Sequence, residues 1–117
     1  MKIVPSGIKG LDSVLNGGFN LPSTVLVAGT AGAGKTTFVI QSLVNAAKNG
    51  ETCLFISAIS EPVAMMESFV SNYSFFDYSL IEAKKIRLFN IEKNMLQAGA
   101  PEVIQFIEEK IRMYKPT

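Results

Sequence analysis

The sequence predicts an α/β fold in which helices flank a parallel β-sheet. Two short apolar runs, residues 24–28 and 53–56, have the composition of buried parallel strands. Between them, residues 36–48 carry apolar side chains at helical spacing and end at Asn49-Gly50. A strand, a helix and a second strand in this order predict a right-handed crossover. Both strands then end at the edge of the sheet where ligands bind.

The first strand is connected to the helix by an eight-residue run, 29–36, which fits the pattern G-x-x-x-x-G-K-[ST]. We call this run the phosphate loop. Glycine at Gly29, Gly32 and Gly34 keeps side chains away from the backbone N–H groups, which can then point at an anion. The helix that follows adds its positive N-terminal end. The pattern indicates a site for nucleotide phosphates; the alternative is a turn of small residues that happens to contain lysine.

The residues of this site have distinct predicted roles. Lys35 is expected to contact the β and γ phosphates and to stabilise charge in the transition state, and the Thr36 hydroxyl to hold Mg²⁺. Thr37 is expected to face the nucleotide as well. ATP and Mg²⁺ are therefore the predicted ligands. The predicted nucleotide-binding residues are Gly29, Thr30, Ala31, Gly32, Ala33, Gly34, Lys35, Thr36 and Thr37.

Length and composition bound the class of protein. A chain of 117 residues supports at most one domain, here a lead-in (1–22), the strand, loop and helix (23–48), and the remaining strands and helices (49–117). Apolar residues make up 48% and charged residues 18%, which is typical of a globular protein. The net charge of +1 gives no electrostatic reason to expect a nucleic acid or a membrane surface as partner.

The same features favour a cytoplasmic location. The single cysteine, Cys53, lies in an apolar run and has no partner for an internal disulfide. No apolar run reaches the roughly 20 residues of a membrane span, and the N-terminus lacks a signal-peptide core. The chain has no histidine, so histidine acid–base catalysis is not expected.

Periodicity predicts the remaining elements. A short helix over 8–15 carries its apolar residues on one face, which we interpret as a packing surface, before Gly17-Gly18. The aromatic segment 73–78 and the basic residues Lys84, Lys85 and Arg87 favour core packing beside a solvated turn over base stacking. Further expected elements are a turn over 20–23, a helix over 62–72, a third strand over 86–91, a loop over 90–99 and a last helix from Ala100.

Three motifs, taken together, resemble those of a known protein family. Residues 7–12, the Gly17-Gly18 pair followed by Phe19, and residues 29–37 at this spacing resemble the RecA superfamily, and within it the ATPase domains of KaiC and RadA. The resemblance covers essentially the whole chain. It implies a RecA-like P-loop fold, ATP binding with Mg²⁺, self-association into homo-oligomers that are hexameric rings in the family, and a signalling protein as partner.

The resemblance also locates the catalytic carboxylates, and here the sequence departs from it. In the family the second strand ends with two acidic residues, one of which activates the attacking water. Alignment on Ser57 and Pro62 puts Ile59 and Ser60 at these positions, and neither accepts a proton from water at neutral pH. Glu61 is the candidate base, but a carboxylate before a proline also suits a helix N-terminus, which is the interpretation we favour.

Three functions are compatible with these residues. The first is a KaiC- or RadA-like ATPase domain whose intact parent binds ATP and hydrolyses it with Mg²⁺. The second is a nucleotide sensor that binds without turnover and acts as a regulatory interaction module, which Ile59 and Ser60 support. The third is a DNA recombination or repair ATPase, against which the near-neutral charge counts.

The C-terminal residues bear on the completeness of the sheet. In the resembled family a turn like Lys115-Pro116 leads into the strand with the Walker B aspartate, and no run of this sequence matches that element. We therefore expect an incomplete sheet in an N-terminal part of a longer protein. The alternatives are that the two strands close up differently or that the chain borrows strands from another copy. Because such a sheet exposes apolar edges, a chain that folds as given is expected to be oligomeric.

Overall fold

Helices and short strands alternate along the chain. The computed structural model describes residues 2–30, 32–57, 73–74, 76–91 and 93–117. The predicted helix over 62–72 and the residues Ile59, Ser60 and Glu61 lie outside these ranges, as does Ala31. The elements are β1 (Lys2–Val4), α1 (Leu11–Val14), β2 (Phe19–Leu21), α2 (Lys35–Lys48), β3 (Cys53–Ser57), α3 (Ser79–Glu82), β4 (Ile86–Asn90), α4 (Lys93–Ala98) and α5 (Ala100–Tyr114).

The described strands form two separate pairs. β3 and β4 are parallel, with Cys53 opposite Ile86 and Ser57 opposite Asn90. β1 and β2 are antiparallel, with Lys2 opposite Leu21. The predicted second and third strands are therefore confirmed. The structure is a mixed α/β arrangement with short sheets, whereas the full parallel sheet that the resemblance implies is not formed by the described residues.

The prediction of a buried strand over residues 24–28 is wrong. These residues belong to no strand, and the side chains of Val25 and Leu26 are 53% and 89% exposed. No described residue makes a backbone hydrogen bond to this segment. A strand needs the N–H and C=O groups of a neighbouring strand, and β3 and β4 pair with each other instead. The apolar composition of 24–28 is therefore not sufficient for strand formation.

The core lies between α2 and the β3–β4 pair. Ile40, Val44 and Ala47 recur at intervals of three and four residues, so they share the helix face that meets the sheet. Helix α2 ends as predicted, since Gly50 takes a φ of 93° and its N–H donates to the carbonyl of Ala47 at 3.1 Å. The buried cluster consists of Ile40, Val44, Ala46, Ala47, Cys53, Leu80 and Ile86.

The lead-in is held by polar contacts rather than by an apolar face. Helix α1 is shorter than predicted, buries none of its residues and leaves Val14 76% exposed. The Asp12 carboxylate instead accepts hydrogen bonds from Ser6 Oγ at 2.7 Å, Ser6 N at 2.8 Å and Gly7 N at 3.2 Å. Gly18 has a φ of 148°, and a Cβ there would overlap the backbone of Val4 and Pro5. This close approach explains why a glycine follows Gly17.

The C-terminal part confirms the last helix and corrects the preceding loop. Residues 93–98, predicted as loop, form α4, which packs against α5. Helix α5 begins at Ala100 as predicted, but its apolar stripe is only partly covered, because Ile104 and Ile111 are about half exposed. On its other side, Phe89 of β4 stacks on Tyr114 with ring centroids 5.5 Å apart. No helix in the described ranges is long and apolar enough to cross a membrane.

Candidate functional site

The last two residues of the phosphate loop, Lys35 and Thr36, are the first two residues of α2. Gly32 and Gly34 have φ values of 82° and 94°, left-handed conformations that favour glycine. The Ala33 N–H donates to the carbonyl of Thr30 at 3.1 Å, which turns the chain within the loop. A Cβ on Gly29 would lie 3.2 Å from the Cβ of Ala33, so the glycine at this position permits a tight turn. The loop thus carries the chain into the N-terminus of a 14-residue helix.

This helix N-terminus has the properties of an anion site. The backbone N–H groups of Gly34, Lys35 and Thr36 donate no hydrogen bond to any residue that the structure describes. The first N–H groups of a helix have no partner within the helix, and the helix dipole adds positive potential there. Because Gly32, Ala33 and Gly34 are also exposed, an anion can approach these donors from solvent.

Lys35 is folded back onto the loop that precedes it. Its Nζ donates to the carbonyl of Gly29 at 2.6 Å and to that of Thr30 at 2.9 Å. Both carbonyls belong to exposed residues, so the ammonium group stays at the rim of the loop. The cation is therefore already next to the N-terminal donors of α2, and its flexible four-carbon stem allows it to exchange these carbonyls for a charged acceptor.

The two threonines after Lys35 have different surroundings. Thr36 is exposed, and its hydroxyl forms no hydrogen bond within the described part of the chain, so it is accessible to a cation in solvent. The Thr37 Oγ1 lies 2.7 Å from the hydroxyl of Tyr73, a residue 36 positions further along the chain. No sequence pattern indicates this contact, since residues 73–78 are interpreted from the sequence as aromatic packing.

The predicted site residues are thus brought together in the described part of the loop. Gly29 and Thr30 lie on one side of Ala31, and residues 32–37 lie on the other side; all of them are exposed or partly exposed. Ala31 and the candidate base Glu61 lie outside the described residues, as do Ile59 and Ser60, and the catalytic role of Glu61 stays a prediction. Strand β3 ends at the buried residue Ser57, one position before that part of the chain.

A large apolar cavity lies beside the loop but does not belong to the anion site. Its volume is about 470 Å³, and Val25 and Val27 line it together with Leu54 and Ile56 of β3. None of the residues that the structure describes between 29 and 36 lines it. The cavity therefore separates segment 24–28 from β3, and its walls suit apolar side chains rather than phosphate.

Comparison with known proteins agrees with the resemblance seen in the sequence motifs. A family model described as "ATPase: KaiC" matches residues 4–116. The circadian clock oscillator protein KaiC of Acaryochloris marina is 32% identical over 114 residues, which are 97% of this chain and 21% of that protein. A UPF0273 protein of Pyrococcus horikoshii is 37% identical over 65 residues, 56% of this chain and 26% of that protein.

A second UPF0273 protein, from Aeropyrum pernix, is 32% identical over 88 residues, which are 75% of this chain and 34% of the relative. The chain therefore spans a fifth to a third of the length of these relatives.

Proposed function

The chain belongs to the KaiC family of ATPase domains, and from this premise we propose that residues 29–37 bind ATP together with Mg²⁺. The observation that carries the proposal is the N-terminus of α2. There, N–H groups without a described acceptor, an adjacent lysine ammonium and an exposed hydroxyl occupy consecutive positions. These are the donor types that a triphosphate and its cation require.

Each residue has a defined task in this proposal. The backbone N–H groups of Gly34, Lys35 and Thr36 donate to phosphate oxygens. Lys35 leaves the carbonyls of Gly29 and Thr30 and donates to the β and γ phosphates, since a hydrogen bond between two charged groups is stronger than one to a neutral carbonyl. The Thr36 hydroxyl oxygen is a ligand of Mg²⁺, whose charge offsets that of the phosphates.

Turnover has weaker support from the sequence than binding does. Ile59 and Ser60 stand where the family has its water-activating carboxylates, so a proton acceptor for hydrolysis is missing unless Glu61 supplies it. The first candidate is an ATPase domain whose intact parent hydrolyses ATP, with Glu61 as the candidate base. The second candidate is a nucleotide-sensing regulatory module that binds without turnover. A role in DNA recombination is the third candidate, and the net charge of +1 counts against it.

Self-association, a signalling partner and a cytoplasmic location complete the proposal. The apolar cavity between segment 24–28 and β3 and the half-exposed Ile111 at its rim support self-association, because association would bury this surface. Burial raises the pKa of the Cys53 thiol to about 11, so the thiol stays protonated and unreactive, as suits a core residue.

Calorimetric titration of the chain with ATP and MgCl₂ tests the binding proposal. Lys35→Ala is expected to weaken binding by about 10- to 100-fold, the size of hydrogen bonds to a charged group. Lys9→Ala is the matched control, because Lys9 is exposed and its side chain makes no hydrogen bond or ion pair with the described residues. Equal affinity of the native chain and the Lys35 variant, or no saturable binding by folded native chain, would contradict the proposal.

A further inference from the structure

A tyrosine from a distant segment contacts the first turn of the nucleotide-site helix. The hydroxyls of Tyr73 and Thr37 are 2.7 Å apart, and either oxygen can act as the donor. The ring of Tyr73 packs against the buried cluster formed by α2, β3, α3 and β4. The carbonyl of Tyr73 also accepts a hydrogen bond from Phe76 N at 3.1 Å. The phenol oxygen is therefore held next to α2 by packing of its ring and by a turn of its backbone.

The direction of this hydrogen bond decides what Thr37 can do. A threonine hydroxyl has one proton to donate and two lone pairs to accept with. When Tyr73 donates to Thr37 Oγ1, the proton of Thr37 remains available for an anion at the start of α2. Accepting a hydrogen bond also polarises the Thr37 hydroxyl and makes it a better donor. In the reverse direction, the only proton of Thr37 is occupied by Tyr73.

We propose that Tyr73 is a positioning residue of the nucleotide site, which donates to Thr37 Oγ1 and thereby directs the Thr37 proton toward the bound phosphates. This inference rests on the proposed ATP binding. The phosphate charge favours this direction, because an anion at the start of α2 attracts the Thr37 proton. Tyr73 touches no phosphate itself and acts through Thr37.

Substitutions that remove only a hydroxyl test the proposal. Tyr73→Phe keeps the ring in the core and is expected to weaken Mg²⁺·ATP binding by about 3- to 10-fold, the size of one hydrogen bond. Tyr114→Phe is the matched control, since its ring is packed and its hydroxyl makes no hydrogen bond with the described residues. Thermal unfolding without nucleotide, followed by circular dichroism, verifies that each variant is folded at the titration temperature.

A double-mutant cycle separates positioning from a purely structural role. In a Thr37→Val background, Tyr73→Phe is expected to cause no further loss of affinity. In a Thr37→Ser background, which keeps the hydroxyl, the full loss should return. If Tyr73 only stabilises the fold, Tyr73→Phe would lower the unfolding temperature and leave the affinity unchanged in the native, Thr37→Val and Thr37→Ser backgrounds.

The outcomes distinguish this inference from the proposed function. If native binding depends on Lys35 but Tyr73→Phe binds within twofold of native, Tyr73 has no positioning role and ATP binding stands. Tighter binding by Tyr73→Phe would mean that Thr37 donates to Tyr73, which also overturns the inference. An undiminished effect of Tyr73→Phe on Thr37→Val overturns it as well. If the native chain shows no ATP binding that depends on Lys35, both proposals are overturned.

Discussion

Residues 53–57 and residues 24–28 have similar apolar composition and opposite structural outcomes. The first segment is β3, paired in parallel register with β4 and packed against α2. The second forms no strand, and Leu26 is 89% exposed. The difference lies in their neighbours: β3 has a strand beside it and a helix over it, whereas 24–28 faces an apolar cavity. Strand formation here depends on a pairing partner more than on β propensity.

The largest expected effect is on amide hydrogen exchange. Every second amide of β3 faces β4, beginning with Cys53, whose N–H donates to the carbonyl of Lys85. The amides of Cys53 and Phe55 should exchange on the order of a thousandfold more slowly than those of residues 25–27, because the former open only when the core unfolds and the latter have no described acceptor. Exchange measured by mass spectrometry or NMR gives both rates in one sample. Similar protection of the two segments would mean that 24–28 is paired in solution and that the two segments do not differ in backbone pairing.

A buried side chain of α2, which packs against β3, and an exposed side chain of segment 24–28 should contribute differently to the free energy of unfolding. Ile40 is only 3% exposed. Ile40→Ala is expected to lower the free energy of unfolding by about 2–5 kcal/mol, because buried apolar surface is lost and a cavity remains. Leu26→Ala removes a side chain of the same size from an exposed position and should change it by less than about 0.5 kcal/mol. Urea unfolding measures both variants. A comparable loss for Leu26→Ala would show that this side chain is buried in solution.

The smallest expected effect is on the pH dependence of stability, through the lead-in, which is held by polar contacts. Hydrogen bonds from Ser6 Oγ, Ser6 N and Gly7 N hold the pKa of Asp12 below its ordinary value of 3.8. A carboxyl whose folded pKa is lowered contributes stability above its unfolded pKa, and this contribution is lost as the pH falls through the folded value. The native chain should therefore exceed Asp12→Asn in urea midpoint at pH 6, and the difference should shrink below pH 3.8.

A series of urea titrations between pH 6 and pH 3 checks this expectation. The lowered pKa values of Glu51 and Asp77 contribute in the same direction, but they are common to both proteins and cancel in the difference. A difference that stays constant over the whole range would show that the Asp12 carboxylate charge does not stabilise the lead-in.

Elements with strong local patterns were predictable. Helices α2 and α5 follow from apolar spacing and from their end signals, a glycine after α2 and a proline in the first turn of α5. Strand β3 follows from an apolar run, and β4 follows from alternating apolar residues. The β1–β2 pair was missed because each strand has three residues, too few to show a period, and because its partners are far apart in sequence. Helix α4 was missed because its six residues carry no clear cap or stripe.

The candidate site also has a part that was predictable from local patterns and a part that was not. The phosphate-loop residues could be identified from spacing alone, because glycine, lysine and threonine are needed at fixed intervals along one stretch of backbone. The hydrogen bonds of Lys35 to Gly29 and Thr30, and of Thr37 to Tyr73, could not be identified, because they depend on side-chain direction and on packing between distant segments.

By itself, the sequence determined the phosphate loop, the helix that follows it and the family resemblance, since these depend on residues close together in the chain. The tertiary structure alone decided which apolar run becomes a strand, how the lead-in is held and which tyrosine reaches Thr37. The physical reason is that backbone pairing and burial are satisfied between segments rather than within them. An apolar segment such as 24–28 therefore forms a strand only when another strand lies beside it.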